Sequence, residues 1–248
     1  MRRHGIVCGA AAILVMLGTA ASASAQSPAT CLDPTTLASI EATIVGTNGP
    51  DVLRGTPGPD VIAGLDGNDT ITGLGGDDLI CGGRGDDKID GGDGNDIIIG
   101  DTGETFLLGN PAGMNVPGGD DILFGGDGDD QIAGEGGSDL IRAGAGNDFA
   151  TGQMQADTVF GDTGDDTLFG GPADDTLNGG DGNDMLTGNF GNDTLLGGKG
   201  DDIFNGDAFG PPVPSFDVCN GQQGNDLAFP GSCEQANQIE GDFTPPEQ

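Results

Sequence analysis

Basic and aromatic residues are scarce in this chain of 248 residues. Tryptophan and tyrosine are absent, histidine occurs once, and 7 Lys and Arg residues stand against 41 Asp and Glu residues. A chain of this charge repels nucleic acid and acidic lipid. Because the single histidine is His4, a His-based triad or a zinc-protease motif is excluded from the remainder of the sequence. We therefore expect no enzymatic activity.

Long apolar runs are confined to the N-terminus. Arg2 and Arg3 precede the apolar run 6–17, and small residues follow it. This pattern predicts a secretory signal over residues 1–25. An uncleaved anchor is the less favoured alternative, since the run is shorter than the roughly 20 residues that a membrane span needs. Removal of both arginines leaves 5 basic residues against 41 acidic ones, a net charge of −36.

Cysteines are few, and one of the five falls within the predicted signal. The other four are Cys31, Cys81, Cys219 and Cys233. An even number after secretion indicates two disulfides, and we expect Cys31–Cys81 and Cys219–Cys233, each closing one end of the molecule. Pairing between the two ends and free thiols are the alternatives.

Glycine and aspartate are abundant, and they recur with a period of nine. The clearest copy, Gly91 to Ile99, reads Gly-Gly-Asp-Gly-Asn-Asp-Ile-Ile-Ile. In this register 19 copies can be set, and the eighth place is apolar in all of them, from Leu53 through Leu107 to Ala228. The sixth place carries the candidate metal ligands Asp51, Asp60, Asp69, Asp78, Asp87, Asp96, Asp121, Asp130, Asp139, Asp148, Asp157, Asp166, Asp175, Asp184, Asp193, Asp202, Asp217 and Asp226.

Each copy consists of a glycine-rich segment of six residues, which must turn, and a strand of three residues. Glycine at the first and fourth places permits positive φ or close backbone approach. Side chains alternate along a strand, so the eighth residue points into a core while the seventh and ninth point outward. Since one such strand is too short to be stable, copies must stack, with two per turn and about 4.8 Å between turns.

Stacking places carboxylates above one another, for example Asp69 below Asp87. Their repulsion would keep the chain unfolded unless a cation lay between the turns. Carboxylates and backbone carbonyls are hard oxygen ligands that suit Ca²⁺ better than Mg²⁺, whereas zinc or copper would require His or Cys. We expect on the order of ten calcium ions and folding coupled to their binding. Without calcium, a disordered polyelectrolyte is the favoured state.

The residues of the period, with the flanking segments 42–47 and 217–221, resemble the calcium-binding repeat-in-toxin family. They are also similar to secreted calcium-binding proteins of actinobacterial type. The resemblance covers about residues 46–229. It implies an all-β, right-handed parallel β-roll (β-solenoid) in which the sixth-place aspartates and loop carbonyls hold the ions. We expect a secreted monomer, extracellular or associated with the cell wall.

The period also predicts how the chain is divided. Residues 26–45 form an N-terminal cap, and residues 46–229 form the roll. Insertions are expected at 109–115 and 206–211, where the register is interrupted and then resumes. Residues 230–248 are predicted to form a C-terminal cap and a disordered tail.

Departures from the pattern predict where calcium sites fail. We expect none in the copy of Thr105 and none at the 206–211 insertion. The departures are Thr105 in place of the acid, Gln155 and Ala173 in place of the fourth glycine, Val116 and Ala143 in place of the first, and a copy without any glycine around Asp217.

Two functions remain open at this level. The first is a self-sufficient calcium-binding protein whose ions are structural. The alternative is a calcium-dependent adhesion module that presents a surface to a cell-wall or other surface polymer. Phe106, Phe209 and Phe216 are the candidates for an exposed aromatic patch, although they could equally cover the ends of the core.

Overall fold

The computed structural model describes residues 30–32, 39–101, 118–206, 217–229, 233, 235–237 and 241–242. The predicted signal peptide and the aromatic candidates Phe106, Phe209 and Phe216 lie outside these residues. Within the described ranges the chain forms strands and turns, with no helix long and apolar enough to cross a membrane.

The described strands follow the nine-residue period. They are β1 (Thr30–Leu32), β2 (Ser39–Glu41), β3 (Ile44–Val45), β4 (Val52–Arg54), β5 (Val61–Asp66), β6 (Thr70–Gly75), β7 (Leu79–Arg84), β8 (Lys88–Asp93), β9 (Ile97–Asp101), β10 (Ile122–Asp127), β11 (Gln131–Gly136), β12 (Leu140–Ala145), β13 (Phe149–Met154), β14 (Thr158–Thr163), β15 (Thr167–Pro172), β16 (Thr176–Asp181), β17 (Met185–Phe190), β18 (Thr194–Lys199), β19 (Ile203–Asn205), β20 (Val218–Gln223), β21 (Leu227–Ala228), β22 (Gln235–Asn237) and β23 (Gly241–Asp242).

Alternate strands belong to two different parallel sheets. The odd sheet contains the odd-numbered strands from β3 to β23, and the even sheet contains the even-numbered strands from β4 to β22. Residues 18 apart are register partners, as Ile71 is with Ile89. Two nonapeptides therefore complete one turn, which confirms the predicted all-β roll.

The core lies between the two sheets and consists almost entirely of eighth-place side chains. Those from Ile62 to Ala228 form one continuous buried cluster, with Ile44, Leu53 and Cys233 packed against it. Because strand side chains alternate faces, one apolar residue in each copy is enough to fill this layer. Burying a Leu or Ile side chain contributes about 1.5–3 kcal/mol.

A second apolar cluster lies on the outer face of the odd sheet near its N-terminal end. Ala63, Leu79, Cys81 and Ile99 are buried there, although seventh- and ninth-place residues were expected to face solvent. The antiparallel hairpin β1–β2 lies against β5 and β7 and covers this cluster. It brings the strand that contains Cys31 next to the strand of Cys81. The Cys31 side chain lies outside the description, so the Cys31–Cys81 disulfide stays a prediction.

The first insertion lies inside a turn and is longer than predicted. The Asp87 N–H donates to Asp121 Oδ1 across 34 residues, one 18-residue turn plus 16. Strand β10 pairs directly with β8, and β11 with β9. A Cβ on Gly100 would collide with Asp121 Oδ2, as one on Gly91 would with Asp96 Oδ2. The copy of Asp121 therefore begins at Gly100, and residues 102–117 lie between its second and third places.

This register corrects two expectations. Thr105 and Leu107, predicted to belong to a seventh copy, lie outside the described residues, and the described strands β8 and β10 pair directly. Gly100 rather than Val116 occupies the first place of the Asp121 copy. Sixteen residues are one nonapeptide plus seven, so in the sequence the inserted segment looks like a copy followed by the short insertion 109–115. Counting a nine-residue period along the sequence does not distinguish one insertion of sixteen residues from a copy followed by an insertion of seven.

The second insertion also lies within one turn. The Asp193 N–H donates to Asp217 Oδ1 across 24 residues, which is one 18-residue turn plus six. The first place of this copy is taken by Gly206, whose carbonyl accepts the N–H of Asn189 at 2.7 Å. The copy of Asp217 therefore does have its first-place glycine, which the sequence register assigned to the insertion.

The roll continues beyond residue 229. Strand β22 pairs with β20, and β23 pairs with β21, which assigns these strands to a C-terminal cap rather than to a tail. Cys219 and Cys233 form a disulfide with a Cα–Cα distance of 5.9 Å, which confirms the predicted closure of this end.

Candidate calcium sites in the turns

All eighteen predicted aspartates lie in two columns, one along each edge of the roll. The sixteen from Asp69 to Asp226 are at most 3% exposed, and Asp51 and Asp60 are half-buried. The even column, which precedes the even strands, contains Asp51, Asp69, Asp87, Asp121, Asp139, Asp157, Asp175, Asp193 and Asp217. The odd column contains Asp60, Asp78, Asp96, Asp130, Asp148, Asp166, Asp184, Asp202 and Asp226.

In every aspartate from Asp69 onward, one carboxylate oxygen joins successive turns. The backbone N–H of Asp69 donates to Asp87 Oδ1 at 2.7 Å, and the N–H of Asp184 donates to Asp202 Oδ1 at 3.0 Å. The same bond recurs between every consecutive pair in both columns. These bonds join residues at least 18 apart in the sequence, so they connect each turn to the next rather than shaping a turn locally.

The other oxygen, Oδ2, has no such role in most copies. Leaving a buried carboxylate oxygen without a partner is costly, so the recurrence of this feature points to a cation. Oδ2 is buried without a hydrogen-bond partner in Asp69, Asp78, Asp87, Asp96, Asp121, Asp130, Asp139, Asp148, Asp157, Asp166, Asp175, Asp184, Asp202 and Asp226.

The first-place glycines let Oδ2 and a carbonyl oxygen of the next turn approach the backbone closely. A Cβ on Gly64 would come within 3.0 Å of both Asp69 Oδ2 and the carbonyl oxygen of Gly82, one turn later. A Cβ on Gly82 would meet Asp87 Oδ2 and the Gly100 carbonyl in the same way. A carboxylate oxygen and a carbonyl oxygen from successive turns thus lie beside the same glycine, and both are the kind of oxygen ligand that Ca²⁺ prefers.

Side chains alone do not complete such a site. Among the described residues, no three His, Cys, Asp or Glu side chains converge closely enough to hold an ion. Backbone carbonyls of the turns must therefore provide much of the coordination, as Ca²⁺ permits with its six to eight oxygen ligands.

Positive φ occurs at the second and fourth places. Gly67, a fourth-place residue, has φ 130°, and Gln155 and Ala173 adopt 69° and 127° at the same place. Asp157 and Asp175, in those two copies, keep the same hydrogen bonds as the others. The failure of their calcium sites stays a prediction. The need for positive φ at the second place was missed, although glycine in the clearest copies indicates it.

The first turn differs from the others. The Thr47 N–H donates to Asp51 Oδ2 at 2.5 Å, and the Thr47 hydroxyl contacts the same oxygen at 2.9 Å. The Thr56 N–H donates to Asp60 Oδ2 at 2.6 Å. These second-place threonines give Oδ2 of Asp51 and Asp60 a partner that Oδ2 of later aspartates such as Asp69 and Asp78 lacks. The period did not reveal this distinction.

Burial opposes ionisation along both columns. It raises the pKa of Asp87 and Asp96 to about 7 and that of Asp121 and Asp157 to about 9, and neighbouring carboxylates add to the effect. The N–H from the preceding turn lowers the pKa of each but does not offset burial. A bound cation would favour the ionised form instead.

The fifth places form a second, exposed ladder. The Asn147 N–H donates to Asp129 Oδ1 at 2.8 Å, and the Asp165 N–H donates to Asn147 Oδ1 at 2.9 Å. Its bonds run opposite to those of the sixth-place ladder, from a later turn to an earlier one. These Asn and Asp side chains were not predicted to have a role. Their recurrence at one place of the period was the available signal.

Comparison with protein families agrees with this geometry. The family described as the RTX calcium-binding nonapeptide repeat matches residues 45–80, 75–107, 118–150, 151–186 and 178–209, more than half of the chain. The chain belongs to this family, whose repeats are defined by calcium binding rather than by a reaction. Comparison with curated proteins finds no match.

Proposed function

We propose that this chain is a secreted calcium-binding protein whose ions lie between successive turns of the roll. The observation that carries this proposal is the buried Oδ2 without a partner, set beside a first-place carbonyl of the next turn. Each such pair offers one position for an ion. The first turn offers none, since Thr47 and Thr56 already satisfy Asp51 and Asp60.

Folding of the roll depends on these ions. The columns stack buried carboxylates at the spacing of β-strands, and their repulsion and desolvation oppose folding until cations neutralise them. On the order of ten Ca²⁺ ions, each with two charges, would cancel more than half of the net charge of −36. An ion that binds only the folded state stabilises it by mass action.

Calorimetric titration of the chain from Gln26 onward tests the proposal, with circular dichroism as the structural measurement. We expect coil in chelator, β-structure in millimolar Ca²⁺, and a stoichiometry on the order of ten ions. Mg²⁺ at the same concentration is the control and should leave the chain unfolded, because it requires a stricter octahedron. A spectrum that does not respond to calcium would contradict the proposal.

Secretion is supported by the Cys219–Cys233 disulfide, since structural disulfides persist in oxidising compartments. Expression of the full chain in a secreting host, followed by N-terminal sequencing of the protein in the medium, tests the predicted cleavage before Gln26. Recovery of the whole chain inside the cell would argue against it.

A second candidate function is adhesion through the outer face of the even sheet, with a cell-wall or other surface polymer as partner. Apolar and cationic side chains adjoin there on four neighbouring strands. Ile122 and Leu140 are register partners, and each is more than a third exposed. The Lys88 ammonium lies 5.8 Å from the centroid of the Phe124 ring. The Arg142 guanidinium lies 5.5 Å from the centroid of the Phe160 ring. A pull-down on cell-wall material with and without calcium tests it, and absence of binding in calcium would remove its support.

A further inference from the structure

The outer face of the even sheet differs in charge from the rest of the molecule. Outward side chains come from the seventh and ninth places, and on the described strands of the odd sheet none of these residues is charged. On the even sheet the charged residues at these places are Arg54, Lys88, Asp90 and Arg142. Three of the five basic residues that follow the predicted signal therefore share one face with a single acid, in a chain with 41 acids.

The three cations lie on every second strand of this sheet. Arg54 belongs to β4, Lys88 to β8 and Arg142 to β12, with β6 and β10 between them. All three residues are exposed. Because paired strands lie about 4.8 Å apart, positive charge recurs about every 9.6 Å along the roll.

Apolar side chains occupy the strand between two of these cations. Strand β10, between Lys88 and Arg142, carries Ile122 and Phe124 as its outward residues. Ile122 is 38% exposed, and Phe124 is half-buried beneath the Lys88 ammonium. Phe160 lies beneath Arg142 in the same way. The face thus alternates cationic with apolar surface along the roll axis.

The dimensions of this face suit a linear partner. The seventh and ninth residues of one strand are about 7 Å apart, and the strands from β4 to β14 span about 24 Å. A stable interface with a globular protein needs about 800 Å² from each side, far more than this strip provides. A linear polymer that lies along the roll axis contacts every strand of the strip.

The net negative charge of the chain does not exclude an anionic partner on this face. The sixth-place aspartates lie in the turns, and the proposed calcium ions offset their charge. At physiological ionic strength charges act over about 8 Å, so a polymer on the strip responds chiefly to the strip itself. Two acids oppose binding there, namely Asp90 on the face and Asp162, which pairs with Arg142 at 2.8 Å.

We propose that the even face from β4 to β14 binds an acidic polysaccharide in which sugars with a carboxylate alternate with neutral sugars. The carboxylates pair with Arg54, Lys88 and Arg142, and the apolar faces of the neutral rings lie on the intervening strands. Successive rings of an extended polysaccharide recur at nearly the distance between strands, so a repeat of two sugars matches the spacing of the cations. This inference rests on adhesion, the second candidate function, and names its partner.

Binding of labelled hyaluronan oligosaccharides to the chain from Gln26 in saturating calcium tests the inference, with fluorescence anisotropy as the measurement. Hyaluronan has the required alternation of acidic and neutral sugars. Hyaluronan with its carboxylates reduced to alcohols is the neutral control, and polyglutamate is the anionic control without sugar rings. We expect hyaluronan to bind and both controls to bind much more weakly.

Variants locate the binding face. Arg54→Gln, Lys88→Gln and Arg142→Gln should each weaken hyaluronan binding by roughly twofold to fivefold, as expected for exposed ion pairs. Arg84→Gln and Lys199→Gln are the matched controls, because these residues lie at third places in the turns, where Lys199 pairs with Asp181. The controls should bind as the wild type does, and circular dichroism in calcium confirms that every variant is folded.

A gain of binding provides a second test. Asp90→Asn removes the acid of the face and should tighten hyaluronan binding by roughly twofold or more. Asp165→Asn makes the same change of charge in an exposed turn and should have no effect. An equal gain in both variants would mean that net charge alone governs binding, which would overturn the inference.

The remaining outcomes separate the inference from the function on which it rests. Equal binding of the reduced polymer or of polyglutamate would overturn the acidic polysaccharide as partner, as would cell-wall material that binds while hyaluronan does not. Self-association of the chain that the three cation variants abolish would assign the face to a second copy and overturn it too. If neither hyaluronan nor cell-wall material bound, both the inference and adhesion would fall, while calcium binding would stand.

Discussion

At each repeating position the two oxygens of the aspartate have different partners. Oδ1 accepts an N–H from the preceding turn, whereas Oδ2 faces the space above a first-place glycine. A neutral amide could keep the first contact but would bring no charge to the second. We therefore attribute the proposed calcium requirement to Oδ2 of each residue.

Asp51 and Asp87 provide a direct comparison of an aspartate with and without internal partners. Asp87→Asn should lower the number of bound calcium ions and raise the calcium concentration needed for folding, because its Oδ2 has no other partner. Asp51→Asn should leave the ion count unchanged, since Thr47 already donates to Asp51 Oδ2. Calorimetric stoichiometry checks both. An equal loss of ions in both variants would mean that the first turn binds calcium like the rest.

Gly83 tests whether the second place requires a backbone with positive φ. At φ 125° a Cβ would collide with the Leu65 carbonyl oxygen, so Gly83→Ala should lower the free energy of unfolding in saturating calcium by about 1–3 kcal/mol. Gly49→Ala is the control, because a Cβ there meets nothing within 4 Å and the φ is not left-handed. Urea unfolding of both variants gives the comparison, and equal stabilities would contradict this account of the second place.

At the scale of elements, the roll tolerates insertions because they leave within a turn and return to the same register. In a chain with residues 102–117 deleted, Asp101 would be followed by Gly118, which restores a copy of nine residues. This deletion should fold in calcium with the strand content and thermal stability of the wild type. Deletion of 109–115 alone would leave nine extra residues in the turn.

Circular dichroism and thermal unfolding in calcium check the register. If the 102–117 deletion failed to fold while the 109–115 deletion folded normally, then Gly100 would not be the first place of the Asp121 copy.

The sequence predicts strands, core and aspartate columns because each depends on one place of a strict period. Ile89 is buried and Asp87 lies in its column because of the places that they occupy within one nine-residue copy. The position of the inserted segment was not predictable in this way, because it depends on which strands pair. Burial of Cys81 depends on a hairpin distant in sequence, and the exception at Thr47 depends on hydrogen bonds that a period does not describe.

At the scale of the whole molecule, the buried columns should make the stability of the metal-free chain fall as pH rises. Twelve of the column aspartates have pKa values raised from 3.8 to between about 6, as for Asp139, and about 9, as for Asp121. A folded chain therefore holds protons that an unfolded chain has released, and this contribution is full below pH 3.8 and is lost as pH rises through 6 to 9. Calcium binds the ionised carboxylates, so its apparent affinity should rise over the same interval.

Circular dichroism in chelator, measured from pH 4 to pH 9, tests this prediction. We expect more β-structure at the acidic end than at pH 8, and in millimolar calcium we expect folding to persist at pH 8, with protons released on binding. The Asp165 and Asp174 side chains are exposed and lie outside the buried columns, so Asp165→Asn and Asp174→Asn serve as controls that should leave the profile unchanged. A chelated chain that gained β-structure as pH rose would contradict the assignment of the buried columns as the source of the calcium requirement.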